Sequence, residues 1–291
     1  CTVVKFFMKN FKVYFVFIFV CSLFSLIFLY SLDRIIGNKM NNLYQGWNYK
    51  GYRGVVKDLK SKDQKRVAFF GGSVVAGYGV NYRDAIPYIM EEKFVNEEID
   101  VVNLGFNGNG IQGIYHDVKN YLYLDYDLAV IHNGYNDCTF EKFNKRSVRN
   151  DNFFFKNFGY LPIMKTYLQE KIYLILHPNE NKSPGEIISE YYAKKNLKEQ
   201  EIVLKPKWCH GNVKNKLSEN EIKNFKKHLY KFYVPKFEET LIFLEKKNIK
   251  TIIIIQPSYN DLRQDIQSDI IRKLSIQYTG VVLLDLSNKM D

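Results

Sequence analysis

The sequence predicts an α/β protein: a three-layer α/β/α sandwich on a parallel sheet, carried behind an N-terminal transmembrane helix. Three observations predict it. Five short Val- and Ile-rich segments are apolar on both faces, the pattern of parallel strands covered from both sides. Stretches of helical apolar spacing separate them, and such βαβ alternation implies right-handed crossovers. A long charge-free run precedes them all.

That run, "VYFVFIFVCSLFSLIFLYSL" at 13–32, is long enough at ~1.5 Å per residue to cross ~30 Å of hydrocarbon. A cleavable signal has a shorter apolar region and a small-residue cleavage site, and neither is visible here. Lys5, Lys9 and Lys12 form a short basic flank at 1–12 and favour an inside N-terminus, which places the following domain outside the cytoplasm. Arg34 and Lys39 follow the span closely and weaken that asymmetry. Residues 33–60 read as a polar stalk leading into a domain that occupies 61–291.

The strands are expected at 66–70, 100–103, 127–132, 251–256 and 281–285. Between the first two, "DAIPYIMEEKFVNE" has helical spacing, with Pro87 near the helix start, where its missing N–H costs nothing. Ser218 and Glu221 make a capping-box pattern ahead of a long helix, which Pro235 is expected to kink or divide. The stretch 138–216 fits the alternation poorly. It is aromatic, Lys- and Asn-rich, with one clear helix in "GYLPIMKTYLQEKIYLIL", and reads as an insertion above the sheet: a cap over a site or a surface excursion.

Composition narrows the function classes. Of 291 residues, 46% are hydrophobic and 25% charged, as in a domain with a real core. Lys and Arg number 42 against 31 Asp and Glu, a net +11, but the lysines are scattered among Asn and Glu. With no Arg-rich block or aromatic–basic ladder, the charge describes a solvated basic surface and not a nucleic-acid site. Cys1, Cys21, Cys138 and Cys209 have neither zinc-finger nor redox spacing, and the pair Cys209–His210 has no further ligands near it in sequence.

Three polar motifs begin where strands end: "GGSVVAGYG" with Ser73, "NLGFNGNG" with Gly105 and "HNGYND" with Asn136. Each has a plain structural reading. Ser73 can cap a helix, Gly105 can serve a positive-φ turn, and Asn136 can brace its own loop. Together they match a reaction. In an open parallel sheet the carboxyl-end loops at a switch in strand order share one crevice. A serine attacking an ester carbonyl there creates an oxyanion, which the N–H groups of Ser73 and Gly105 and the Asn136 amide can hold. A phosphate cradle fits less well, because the first motif lacks a Gly-Lys-Ser/Thr ending and its glycines miss the Gly-x-Gly-x-x-Gly spacing.

These blocks resemble those of the SGNH (GDSL-type) hydrolases, with "FFGGSVVAGYGV", "VVNLGFNGNG" and "HNGYND" in order and Gly72 where many members have Asp. "NYKGYRG" and "IQPSY" are similar to segments of envelope-associated members. The resemblance runs from about Asn48 to Asp291 and implies a flavodoxin-like sheet, Ser73 as nucleophile, and Ser73, Gly105 and Asn136 as the oxyanion hole. It implies an O-acyl ester of envelope carbohydrate or lipid as substrate, an acyl-serine intermediate, and no metal or organic cofactor. The departure is the family's Asp-x-x-His block after the fifth strand: no Asp here has a His three positions on, and the histidines are His116, His132, His177, His210 and His228. The chain starts on Cys, offers Met8 as a natural start and stops at Asp291, so the expectation is a fragment. A glycan- or lipid-binding module without the base, and acyl transfer to a sugar, are the other readings.

Overall fold

The computed structural model describes residues 2–39, 46–132, 136–137, 153–178, 187, 217–257 and 262–287. A single long helix, α1 (Thr2–Lys39), opens the chain. Its 23-residue segment Val13–Ile35, which contains an unburied 18-residue window of mean hydropathy 2.5, is long and apolar enough to cross a membrane. It extends past the expected 13–32 because the helix itself continues through Asp33 and Arg34 to Ile35.

The domain is built on five strands, all parallel: β1 (Lys65–Gly71), β2 (Ile99–Asn103), β3 (Leu128–His132), β4 (Lys250–Ile255) and β5 (Val281–Asp285). Each lies within about a residue of its predicted position. The order is β2-β1-β3-β4-β5, so β1 is flanked by β2 and β3, and the chain reverses direction across the sheet at that point. Between the strands lie α2 (Ser73–Ala76), α3 (Ile86–Lys93) and α4 (Ile111–Asn120). Then come α5 (Phe153–Phe158), α6 (Met164–Leu176), α7 (Glu219–His228), α8 (Val234–Lys246) and α9 (Leu262–Ser275).

The order of strands determines how the faces fill. Right-handed crossovers put a helix on one face when the chain steps one way and on the other face when it steps back. Only the β1–β2 crossover steps outward past β1, so α3 is the crossover helix of one face, while α4, α8 and α9 share the other. The larger core joins Ala68, Phe70 and Ile131 to Ile114, Phe237, Leu241 and Ile271. The smaller joins Phe69, Val101 and Val130 to Val75 of α2 and to Met90 and Phe94. Helices lie on both faces as expected, and the cover thins toward the far edge. Along the row Phe69, Val130, Ile252, Val282 the exposure climbs from 7% and 5% through half-buried to 63%.

Two local features follow sequence chemistry. Ser218 caps α7 in a full capping box: its hydroxyl accepts from the Glu221 N–H (3.3 Å), and its own N–H donates to Glu221 Oε2 (2.8 Å). Pro235 divides the long helix as expected, through a wide π-type turn at Leu229–Tyr233. Proline has no N–H and crowds the carbonyl four residues back, and the wider turn relieves both. Within 33–60, read as stalk and domain entry, Asn48, Tyr52 and Arg53 are all buried against the domain. Of the expected insertion, α5 and α6 are described, whereas Cys138, Cys209 and His210 lie outside the described residues.

The end of β5 is tied back by Arg272 of α9, whose Nε donates to Asp285 Oδ2 at 2.7 Å and whose Nη2 donates to Ser287 Oγ at 2.8 Å. Arg272 and then Ser287 hold the Asp285 carboxyl at about 2, below its ordinary 3.8. A depressed carboxyl adds stability that is fully present above its unfolded value and is lost as pH falls through the folded one. The stability difference between wild type and Arg272→Gln should therefore shrink as pH falls from about 4 to about 2 in thermal melts. A difference constant across that window would show that the pair does not act this way.

Candidate active site

Ser73 stands where β1 gives way to α2, at the carboxyl edge of the sheet beside the β1–β3 switch. It does not cap the helix. Gly72 holds the N-cap position without a side-chain bond, and Ser73 is the first helical residue. Its carbonyl accepts from the Tyr78 N–H at 2.9 Å, which closes the turn behind it. The side chain is half-buried.

The loop after β3 delivers Asn136 to this corner. A Cβ placed on Gly72 would lie 2.4 Å from Asn136 Nδ2, so the amide occupies the space a side chain at position 72 would need. That contact leaves no room for a side chain at position 72. Asn136 Nδ2 donates one hydrogen to the Asn109 carbonyl at 3.1 Å. A carboxamide has two N–H groups, and this bond uses one of them and orients the amide. Asn109 is itself held, donating from Nδ2 to Asp117 Oδ2 at 2.8 Å in the interior of α4.

Gly105 also reaches the corner. Its Cβ, if present, would lie 2.4 Å from Ala76 N and 2.7 Å from the Val75 carbonyl carbon, so the β2 loop packs directly on the backbone of α2. The structure thus brings the three predicted loops together. It also gives the Gly105 N–H a partner that the sequence reading did not foresee: it donates to Asn103 Oδ1 at 3.0 Å. The expected free donor is an occupied one, because Asn103 at the strand end folds its amide back over the turn.

Two further residues hold the corner and were missed. Asp137 is 1% exposed and gathers three elements: its Oδ1 accepts from the Ile111 N–H at 2.6 Å, its Oδ2 from Gln267 Nε2 at 3.3 Å, and its carbonyl from His228 Nε2 at 3.1 Å. Its only sequence signal was its place beside Asn136. Arg53 is 4% exposed and grips the far end of α2: its guanidinium donates to the carbonyls of Ala76, Gly77 (2.7 Å) and Val80 (3.2 Å). Its own N–H donates to the Asn103 carbonyl at 3.2 Å. Burial pushes the guanidinium down to about 10, opposed by the carboxylate of Glu170 on α6, and it remains charged at neutral pH. The signal for Arg53 lay in "NYKGYRG", whose turn is closed by Asn48 donating to the Gly54 carbonyl at 3.0 Å.

Among the described residues no histidine is hydrogen-bonded to the Ser73 hydroxyl. His132 ends β3, where burial lowers its pKa against the raising effects of a backbone hydrogen bond and of Gln256. His228 is bound to the Asp137 carbonyl, and a carbonyl can only accept, so its Nε2 carries the proton. His177 stacks on Tyr173 with centroids 4.1 Å apart, and His116 lies 3.0 Å from Gln112 Nε2.

No protein-family model matches the chain, and no curated protein does. Solved structures do. AlinE4, described as an SGNH-hydrolase family esterase, is similar at 14% identity over 79% of this chain and 82% of its own, with a TM-score of 0.40. A GDSL-like lipase from Bacteroides thetaiotaomicron VPI-5482 is similar at 13% identity over 80% and 74%, TM-score 0.37. TesA is similar at 12% identity over 75% and 77%, TM-score 0.38. The α/β architecture itself stands on the strand order and register.

Gly105→Ala should force Ala76 and Val75 apart from the β2 loop and lower stability by about 1–3 kcal/mol. Gly280→Ala, with nothing within 4 Å of the new Cβ, is the neutral control in the same urea titration. Arg53→Met should lower stability further, by about 3–5 kcal/mol, because it takes a buried charge and its donors away from the carbonyls at the end of α2. Arg53→Lys, which restores charge but not the fork, should fall between wild type and Arg53→Met.

Proposed function

We propose that this chain is an SGNH-type serine ester hydrolase, anchored in a membrane by α1 with its domain on the extracytoplasmic side. The observation that carries the reading is the meeting of three loops at one corner: Gly72 touching the Asn136 amide, and Gly105 packed on the helix that Ser73 begins. In this reading the Ser73 oxygen attacks an acyl carbonyl, giving up its proton to a base, and a tetrahedral intermediate forms. Collapse expels the alcohol and leaves an acyl-serine, which water then cleaves.

The charge on the intermediate is met by donors of unequal standing. Asn136 is the strongest, since its bond to Asn109 leaves one N–H oriented and free of side-chain entropy cost. The Ser73 N–H is the second. Gly105 contributes only by sharing its N–H with Asn103 Oδ1, which makes it the weakest of the three. The base is a histidine, as in the family the blocks resemble. No metal or organic cofactor takes part in this scheme. The substrate class is an O-acyl ester of envelope carbohydrate or lipid.

The test is labelling of the protein with a fluorophosphonate, together with turnover of a p-nitrophenyl acyl ester. Wild type should form one covalent adduct, on Ser73, and Ser73→Ala none. Asn136→Ala should lower kcat about 10²–10³-fold, the usual effect of removing one oxyanion donor. Absence of any Ser73 adduct under conditions that label other serine hydrolases would leave the corner as a binding site instead.

A further inference from the structure

A helix at a protein–water boundary turns its charged residues outward. α6 departs from this: Lys171 faces outward, but a carboxylate is buried and an apolar row is exposed. Glu170 is 2% exposed, while Leu168, Ile172 and Ile175, spaced four and three apart along one face, are 46%, 54% and 74% exposed. α5 adds Phe153, Phe154 and Phe158, all exposed and packed on one another with ring centroids 5.6–6.4 Å apart. Water selects against both arrangements.

The joint between these two helices is fastened to the end of the apolar span. Asp33 of α1, 4% exposed, accepts from the N–H groups of Ile163 (3.0 Å) and Met164 (2.6 Å) and so caps the start of α6. The Tyr160 hydroxyl donates to the same carboxylate, and its ring lies 5.1 Å from that of Tyr30. Next along α1, the Arg34 guanidinium sits 3.6 Å over the Tyr49 ring. With the charge-free run 13–32 in hydrocarbon, Asp33, Arg34 and the tyrosines around them stand at its end, at headgroup level, where amphipathic rings and snorkelling cations are at home. Both apolar faces begin there.

We propose that α5 and α6 form a membrane-resting face, and that its occupant is the interfacial zone of the bilayer holding α1. The proposal rests on the reading of α1 as a membrane span. A helix of 13 residues is about 20 Å long, and the headgroup zone is only several Å deep, so α6 must lie along the membrane plane for Ile175 to meet lipid. In that pose the inner side of α6, with Glu170, turns toward Arg53, the residue that grips α2. The Ser73 corner is then held within one helix layer of the lipid surface, which suits an ester carried by a membrane lipid.

The experiment uses the full chain in nanodiscs of phosphatidylcholine and phosphatidylglycerol, with its native cysteines replaced by serine. An NBD fluorophore is placed singly through Phe158→Cys, Ile172→Cys, Phe19→Cys and Leu59→Cys. Labels at 158 and 172 should shift to the blue and be quenched about twofold or more by lipid carrying a doxyl group near its headgroup. The label at 59, a site 93% exposed, should stay aqueous and unquenched. If the label at 19 is quenched by deep doxyl lipid but those at 158 and 172 are not, the proposal falls and the span stands. Shielding at 158 and 172 without quenching means that protein covers the face, which also overturns it. Quenching that vanishes with one copy per disc assigns the face to a second copy and does the same. If the label at 19 itself stays aqueous, the span reading fails and takes this proposal with it.

Discussion

Two backbone approaches leave no room for a side chain, and the candidate site depends on both. At Gly72 the Asn136 amide occupies the volume of a Cβ, and at Gly105 the backbone of α2 does. These contacts turn three loops, separate in sequence, into one corner. Their energy is dispersion and packing, small per atom pair and large in sum, and it vanishes once a methyl group forces the surfaces apart. Hydrogen bonds then fix orientation within the packed corner: Asn136 to Asn109, Asn109 to Asp117, and Asp137 to α4 and α9.

The corner sits where it does because β1 lies between β2 and β3. Every later crossover steps in one direction, so the loops after β1, β2 and β3 leave the sheet around a single reversal point. The same stepping rule gives the sheet unequal faces. One carries three crossover helices; the other carries α3 near β1 and β2 and thins toward β5, where Val282 and Leu284 are exposed. Site placement and asymmetry of cover thus have one cause.

Arg53 connects this corner to the rest of the chain. It lies in the segment that follows α1, yet its guanidinium holds three carbonyls at and beyond the end of α2, and its main chain bonds to Asn103, which in turn occupies the Gly105 N–H. A buried guanidinium is stable only when its donors are met and its charge is answered, and Glu170 on α6 supplies the answering charge. The segment nearest the apolar helix is therefore mechanically continuous with the start of α2 at Ser73.

The sequence by itself determined the elements. Apolar runs of a strand's length fell within about a residue of their observed positions, the capping box at Ser218 formed, and the missing N–H of Pro235 divided its helix as local chemistry requires. These signals are local, set by residues a few positions apart. Legibility ended where partners are distant in sequence. The Asn136–Asn109 bond spans 27 residues and the Arg53–Gly77 bond 24, so no periodicity announces either. The occupied N–H of Gly105 belongs to the same class. Only the tertiary structure decided them, because a hydrogen bond or a close approach exists only after both surfaces have been brought into register by the sheet.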